Sequence, residues 1–209
     1  GKAKGSRLPL IQMPTTAGTG SEVTPIAIIT TGETTKQGIV APQLLPDAAI
    51  LDAELTVGLP PFPTATTGID AMVHAIEAFA SKRKKNPYSD MLAKEALRLL
   101  ARNVVDAVTN GTNVEARSAM LLGAMMAGQA FANAPVAAVH ALAYPLGGYY
   151  HIAHGLTNAL VLPHVLEFNE PEAGGLYAEL ASVVDPGAQA SPEPLVARLR
   201  ELTANCGLP

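Results

Sequence analysis

From Ser118 to Leu166 the chain contains no Asp, Glu, Lys or Arg residue. A stretch without charge over this length either spans a membrane or lies largely inside a folded domain. It is rich in Ala and Gly and is interrupted by Gln129, Asn133 and Pro135, so it lacks a run of about 20 strongly apolar residues. We therefore expect helices buried on most sides in a globular core, and no membrane partner.

The overall composition bears on two further questions, namely whether the chain binds nucleic acid and whether it contains a disulfide. The chain has 209 residues, enough to bury a sizeable core, and a formal net charge of −4. This mild acidity gives no electrostatic reason to expect nucleic acid as a partner. The single cysteine, Cys206, cannot form an internal disulfide, which fits a protein of the reducing cytoplasm.

The first sixty residues contain short apolar runs separated by Gly and Pro. The runs are Leu8–Met13, Ile26–Thr31 and Ala48–Leu51. Near-continuous apolarity predicts strands that are buried on both faces, as in an α/β domain. Because three strands are too few for a stable parallel sheet, we expect this α/β portion to be incomplete.

A proline cluster at Leu59–Pro63 separates this portion from the rest of the chain. Proline cannot continue a helix or a central strand, so the cluster predicts a domain boundary, with an α/β portion over residues 1–60 and an all-helical domain over residues 61–209. Helical spacing and proline or asparagine start signals beyond it predict several helices. These are a helix around Ile69–Phe79, one from Asn86 through Arg102, one over Val114–Ala132, and shorter ones around His140, over His154–Leu162, over Pro171–Val184 and over Pro192–Ala204.

Asp70 and His74 lie four residues apart in the first of these helices, and Glu77 continues the same face. A carboxylate and an imidazole one turn apart can form half of a site for a divalent metal. They can also form an ordinary side-chain hydrogen bond. Considered alone, the Asp70–His74 pair favours the hydrogen bond over the metal site.

Four more histidines lie in or next to the uncharged region: His140, His151, His154 and His164. A buried imidazole is destabilising unless it is hydrogen-bonded or ligated. Histidines that converge with an Asp–His pair favour a metal site, and nitrogen with oxygen ligands suits Zn²⁺ or Fe²⁺ better than Mg²⁺ or Ca²⁺. Spacing alone leaves open which of the four are ligands.

The loop Pro14–Thr19 follows the first predicted strand and consists of small and hydroxyl-bearing residues. Such a loop can approach a ligand closely and bind its phosphate or ribose oxygens, although an ordinary Ser/Thr/Gly loop looks the same. Lys36 follows the next predicted strand and, without further context, is interpreted as a surface lysine.

Three segments together resemble the iron-containing (group III) alcohol dehydrogenase family. They are PTTAGTGSEVT at Pro14–Thr24, LPPFPTATTGIDAMVHAIEAF at Leu59–Phe79 and HALAYPLGGYYHIAHGLTNALVLPHV at His140–Val165. The order and spacing of these segments agree with the family, and the resemblance covers nearly the whole chain.

The resemblance implies a dehydroquinate synthase-like fold, in which residues 1–60 are part of a dinucleotide-binding domain and residues 61–209 form the metal-binding domain. It implies four ligands to Fe²⁺ or Zn²⁺, namely Asp70, His74, His140 and His154, and it leaves out His151 and His164. It also implies contacts of Thr15, Thr16, Thr19 and Lys36 with NAD or NADP. The implied reaction is hydride transfer between a small alcohol and the nicotinamide, with the metal polarising the substrate oxygen. We further expect a homodimer.

The chain departs from the family pattern in several ways. The Gly-rich phosphate loop is absent, and from the resemblance we expect the last helices of the helical domain to be missing after Pro209. We therefore expect this chain alone to bind NAD(P) poorly. Where some members have a second histidine four residues after the first, this chain has Tyr144. Asp70 argues against a maleylacetate reductase-like enzyme, which commonly has Asn there, and the Pro14–Thr19 loop argues against a glycerol dehydrogenase-like one. An inactive metal-binding fragment is the alternative from a different class.

Overall fold

The computed structural model describes residues 5–31, 35–187 and 191–209, without the side chains of residues 30, 35 and 36. Short strands come first and long helices follow, which is the fold class that the sequence predicts. The strands are β1 (Ile11–Gln12), β2 (Ile26–Thr31), β3 (Thr35–Val40) and β4 (Ala48–Ala49). The helices are α1 (Pro61–Ala80), α2 (Pro87–Thr109), α3 (Val114–Asn133), α4 (Ala138–Tyr150), α5 (His154–Val184) and α6 (Glu193–Asn205).

The strands form two separate pairs. Strand β1 runs parallel to β4, whereas β2 and β3 form an antiparallel pair in which Ile26 lies opposite Val40. The expectation that the strands are buried on both faces is wrong, since Ile11 is 59% exposed and Ile29 is 46% exposed. A two-stranded ribbon lacks the neighbouring strands and covering helices that would bury both of its faces. Strand β3 was not predicted, because its sequence includes polar residues and Gly38.

Helix α1 lies at the centre of the helical body and packs against α2, α3 and α5. It begins at Pro61, where the missing N–H of proline leaves no hydrogen bond unmade. The buried Arg117 of α3 fixes this start by donating to the carbonyl oxygen of Leu59 at 3.0 Å and to the hydroxyl of Thr64 at 2.8 Å. Most side chains of α1 are buried, so polar groups on this helix lie inside the protein.

Asparagine caps start the next two helices. The Asn86 side chain accepts from the Ser89 N–H, and Pro87 occupies the first turn of α2. The Asn113 side chain accepts from the Ala116 N–H at the start of α3. Helix α2 continues past the predicted limit of Arg102.

Helix α5 differs from the prediction of two helices, His154–Leu162 and Pro171–Val184. It is one continuous helix that contains Pro163 and Pro171. Each proline removes one backbone hydrogen bond and bends a helix without necessarily ending it. Packing of α5 against α1, α4 and α6 supports the helix through both prolines.

The uncharged stretch forms most of α3, all of α4 and the first part of α5. Its helices are less buried than expected, since Leu142, Tyr149 and Tyr150 of α4 are 56%, 70% and 71% exposed. Within the described ranges, no single helix is long and apolar enough to cross a membrane. Helices α3 and α4 pass that test of length and composition only as a pair, and they are bent by 108° relative to each other.

Candidate metal centre

Side chains from three helices converge at one point of the helical body. Asp70 lies in the middle of α1, His140 in the first turn of α4, and His154 is the first residue of α5. The Nε2 atoms of His140 and His154 each lie 3.6 Å from Oδ1 of Asp70. One possible ligand atom from each residue lies within 4.8 Å of the other two, which is a spacing that one metal ion can bridge.

The fourth predicted ligand, His74, lies beside this group. Its Nε2 is 4.0 Å from Oδ1 of Asp70, and its ring stacks on that of His140 with 4.7 Å between centroids. The compact group of three residues does not include His74. Burial lowers the pKa of His74 to about 4, although the nearby charge of Asp70 acts to raise it. The His74 imidazole is therefore neutral at pH 7 and has a lone pair available.

Asn158 lies close to every member of the compact group. Its Nδ2 donates to Oδ1 of Asp70 at 2.5 Å and lies 3.3 Å from the Nε2 atoms of His140 and His154. Asn158 was not predicted as a site residue from the sequence. Its position one helical turn after His154 is the signal that could have indicated it.

Glu77 contacts His140 from the side away from Asp70. Its Oε2 lies 2.6 Å from Nδ1 of His140, and its Oε1 accepts from the backbone N–H of Val139 at 2.7 Å. Glu77 is 6% exposed. The sequence placed Glu77 on the same helix face as Asp70 but did not identify its partner.

The charges of the cluster are strongly coupled. Burial alone would raise the pKa of Asp70, but His74, His140 and His154 outweigh it and hold that pKa well below its usual range. Burial alone would lower the pKa of His140, but its contacts with Asp70 and Glu77 raise the pKa to about 9. The cluster thus presents a carboxylate beside several imidazoles.

A cleft of about 590 Å³ opens onto these side chains. Helical residues line one wall, including Asp70, His154 and Tyr144, and residues of the strand portion, including Thr19 and Ile28, line the other. The Tyr144 ring stacks on that of His154 with centroids 5.4 Å apart and an interplanar angle of 7°. A ligand in this cleft would contact both portions of the chain.

The predicted cofactor residues are distributed unevenly around this cleft. Thr19 lines it, whereas Thr15 and Thr16 do not. Lys36 follows β2, as expected, and lies within β3, opposite Thr30; its side chain is outside the described part of the structure.

The two histidines that the resemblance leaves out lie apart from the cluster. His151 is exposed at the end of α4, with a left-handed φ of 54°. The His164 side chain is 77% exposed, and its Nδ1 lies 3.8 Å from Glu167.

The donor set is compatible with a transition metal. It offers one carboxylate oxygen and up to three imidazole nitrogens, a combination that Zn²⁺ and Fe²⁺ accept readily. The Nε2 atoms of His140 and His154 face the same carboxylate oxygen, while Glu77 occupies Nδ1 of His140. A divalent cation would neutralise the charge of Asp70 and make use of the imidazole lone pairs, so these residues fit such an ion.

Comparison with known proteins identifies related sequences over most of the chain. Residues 64–209 match the C-terminal part of the Fe-containing alcohol dehydrogenase family, and residues 1–53 match the family description iron-containing alcohol dehydrogenase. The chain is 53% identical to long-chain-alcohol dehydrogenase 1 of Geobacillus thermodenitrificans over 77% of this chain and 40% of that protein. It is 42% identical to 1,3-propanediol dehydrogenase of Klebsiella pneumoniae over 96% of this chain and 53% of that protein.

Solved structures show the same fold. The crystal structure of a 1,3-propanediol oxidoreductase matches with a TM-score of 0.93 and 39% identity, over 100% of this chain and 56% of that one. Sulfoacetaldehyde reductase from Bifidobacterium kashiwanohense, solved in complex with NAD⁺, matches with a TM-score of 0.90 and 34% identity, over 98% of this chain and 54% of that one. The chain spans about half the length of the curated relatives it matches. The family resemblance is confirmed: this chain belongs to the iron-containing alcohol dehydrogenase family.

Proposed function

We propose that this chain provides the metal site and one wall of the cofactor cleft of an NAD(P)-linked alcohol dehydrogenase. The enzyme interconverts a small alcohol and an aldehyde or ketone. The observation that carries the proposal is the convergence of Asp70, His140 and His154 at the cleft that Thr19 also lines. In this proposal residues 1–60 belong to a dinucleotide-binding domain and residues 61–209 to a helical metal-binding domain.

Asp70, His74, His140 and His154 together hold one Fe²⁺ or Zn²⁺ ion. Three of them offer ligand atoms within 4.8 Å of one another. His74 completes the set, supported by its neutral imidazole and its 4.0 Å distance from Asp70. Iron agrees with the family name, and both metals agree with the ligand types.

Bound at these residues, the divalent cation supplies Lewis acidity toward the substrate oxygen, and the nicotinamide supplies hydride transfer. The protein side chains supply the setting for this chemistry. Asp70 contributes a fixed negative charge, and Phe131 packs on His74 with ring centroids 4.5 Å apart. Tyr144 stacks on His154 and orients that imidazole at the mouth of the cleft. These apolar and aromatic walls restrict water around the reacting atoms.

NAD or NADP binds along the wall formed by the strand portion, with Thr15, Thr16, Thr19 and Lys36 as its contacts. The position of Thr19 in the cleft supports this proposal, as does the NAD⁺ in the structure of the Bifidobacterium kashiwanohense relative. The hydroxyl and backbone N–H groups of such a loop suit phosphate and ribose oxygens.

The enzyme works as a homodimer in the cytoplasm. Exposed apolar side chains on α4 and α5, including Tyr149, Tyr150 and Phe168, offer surface for a second copy. The chain has a single cysteine, Cys206, so it forms no internal disulfide that would require an oxidising compartment. Light scattering coupled to size-exclusion chromatography measures the oligomeric state.

The activity test uses the protein that carries this chain, loaded with Fe²⁺ or Zn²⁺ without oxygen. With 1-propanol or 1,3-propanediol and NAD⁺ or NADP⁺, absorbance at 340 nm should rise. Asp70→Asn should abolish most of this rate, and the exposed control His164→Ala should keep it. A metal-loaded protein that binds the cofactor but turns over no alcohol would support the inactive metal-binding alternative instead.

A further inference from the structure

We propose that Glu77 is a positioning residue that fixes the tautomer of His140, so that the His140 Nε2 lone pair faces the metal site. The proposal rests on the metal site proposed above and adds a residue to it. Its basis is a carboxylate that is 6% exposed and bridges two helices inside the protein. One oxygen lies 2.6 Å from Nδ1 of His140, and the other accepts from the Val139 N–H at 2.7 Å.

The contact of Glu77 with His140 determines which nitrogen of that imidazole keeps its hydrogen. An ionised carboxylate only accepts hydrogen bonds, so the nitrogen facing it carries hydrogen. Nδ1 of His140 therefore donates to Glu77. Nε2 lies 3.6 Å from Oδ1 of Asp70, on the opposite edge of the ring. Because Nδ1 keeps its hydrogen, Nε2 is the nitrogen that releases its proton to solvent when a cation binds, and its lone pair then faces the metal site.

The contact with Val139 prevents Glu77 from turning away. Val139 lies in the first turn of α4, where backbone N–H groups have no partner within the helix. The residue that precedes α4, Ala137, provides no side-chain cap. Glu77 therefore caps α4 from α1, and the same carboxylate holds both the helix start and the imidazole that the helix carries.

Replacing Glu77 with glutamine separates these roles with little change of shape. A glutamine has one oxygen and one NH₂ group where Glu77 has two acceptors. If its oxygen accepts from Val139, its NH₂ faces Nδ1 of His140 and forces the proton onto Nε2, which blocks the metal. If its oxygen accepts from His140, its NH₂ opposes the Val139 N–H and leaves that buried donor unpaired.

The chain offers a matched control in a second Glu–His pair. Nδ1 of His164 lies 3.8 Å from Glu167, and this pair is exposed and away from the cluster. Glu167→Gln makes the same chemical change as Glu77→Gln without altering a proposed ligand. Glu77→Asp keeps both acceptors and the charge but shortens the side chain by one methylene.

The experiment measures the Zn²⁺ dissociation constant by competition with a chromophoric chelator, with circular dichroism as the folding control. Loss of such a supporting carboxylate typically weakens metal binding about 10- to 100-fold. We expect Glu77→Gln to fall in that range, Glu77→Asp to lose less, and Glu167→Gln to bind as the parent does. In ¹⁵N spectra of the Zn²⁺-loaded parent, Nδ1 of His140 should carry a slowly exchanging proton.

Several results would overturn the proposal. One is a folded Glu77→Gln protein that binds Zn²⁺ like the parent. Another is a parent in which Nδ1 of His140 carries no proton. If Glu77→Gln does not fold, Glu77→Asp provides the test. A Glu77→Asp protein that loses more than 100-fold in Zn²⁺ affinity, although Nδ1 of His140 keeps its proton, contradicts the proposal, because the affinity would then not depend on the tautomer. A parent that binds no metal at all contradicts the proposed metal site instead, so the two failures are distinguishable.

Discussion

Gly155 of α5 lies against the backbone of Thr66 in α1, so closely that an added Cβ would come 2.0 Å from the Thr66 carbonyl oxygen. Because this neighbour is backbone, it cannot rotate aside as a side chain would. Thr66 lies one helical turn before Asp70, and Gly155 directly follows His154. The close approach of the two helices therefore brings His154 to Asp70.

Gly155→Ala should separate these helices. We expect a loss of about 1–3 kcal/mol in the free energy of unfolding, as for other overpacked sites, together with weaker Zn²⁺ binding. Gly175→Ala in the same helix is the control, because nothing lies within 4 Å of its Cβ position. That change should stabilise the protein by about 0.5–1 kcal/mol. Urea denaturation measures both, and a Gly155→Ala protein as stable as the parent would refute the close contact.

Asn158→Ala should weaken metal binding without unfolding the protein. The change removes the hydrogen bond to Asp70 and leaves that carboxylate free to turn. We expect an affinity loss of about 10-fold or more, typical of residues that orient a ligand. Asn103→Ala is the control, because the Asn103 side chain donates to the Leu99 carbonyl oxygen of its own helix, α2. Equal Zn²⁺ affinity of parent and Asn158→Ala in a competition titration would rule out this role.

Cys206 should react slowly with thiol reagents in the folded protein. Burial raises the pKa of this thiol to about 11 from an ordinary value of 9.0. Since the thiolate is the reactive form, labelling at pH 8 should be roughly 100-fold slower than in the unfolded chain. The same shift makes the folded protein lose stability as the pH rises from 9 toward 11, because the unfolded thiol ionises first. Labelling in the presence and absence of urea gives the comparison, and equal rates would contradict it.

The sequence predicted those helices whose apolar spacing and start signals lie within the helix itself. Helical spacing around Ile69 and the Asn86–Pro87 start predicted α1 and α2, because capping and periodicity act within a few residues. The continuous α5 was not predicted, since whether a helix survives Pro163 and Pro171 depends on the helices packed against it. The prediction of strand burial was wrong for a similar reason, because the burial of a strand depends on the strands beside it.

The site was predictable in part. The Asp70–His74 spacing indicated half of a metal site, and the family resemblance selected His140 and His154 from among several histidines. The roles of Glu77 and Asn158 arise from contacts between helices that lie far apart in sequence, such as the 2.6 Å contact of Glu77 with His140. Spacing along one helix can place Glu77 and Asn158 on the same face as a predicted ligand, but it does not identify their partners on another helix.

The most direct test of the metal site compares two neighbouring histidines. His154 contributes Nε2 to the compact group, whereas the nearby His151 is exposed outside it. After dialysis of protein supplied with Fe²⁺ or Zn²⁺, elemental analysis should find about one metal per parent chain. The proposed site predicts that His154→Ala loses most of this metal and that His151→Ala keeps it. Retention of metal by a folded His154→Ala protein, with loss from His151→Ala, would contradict the assignment.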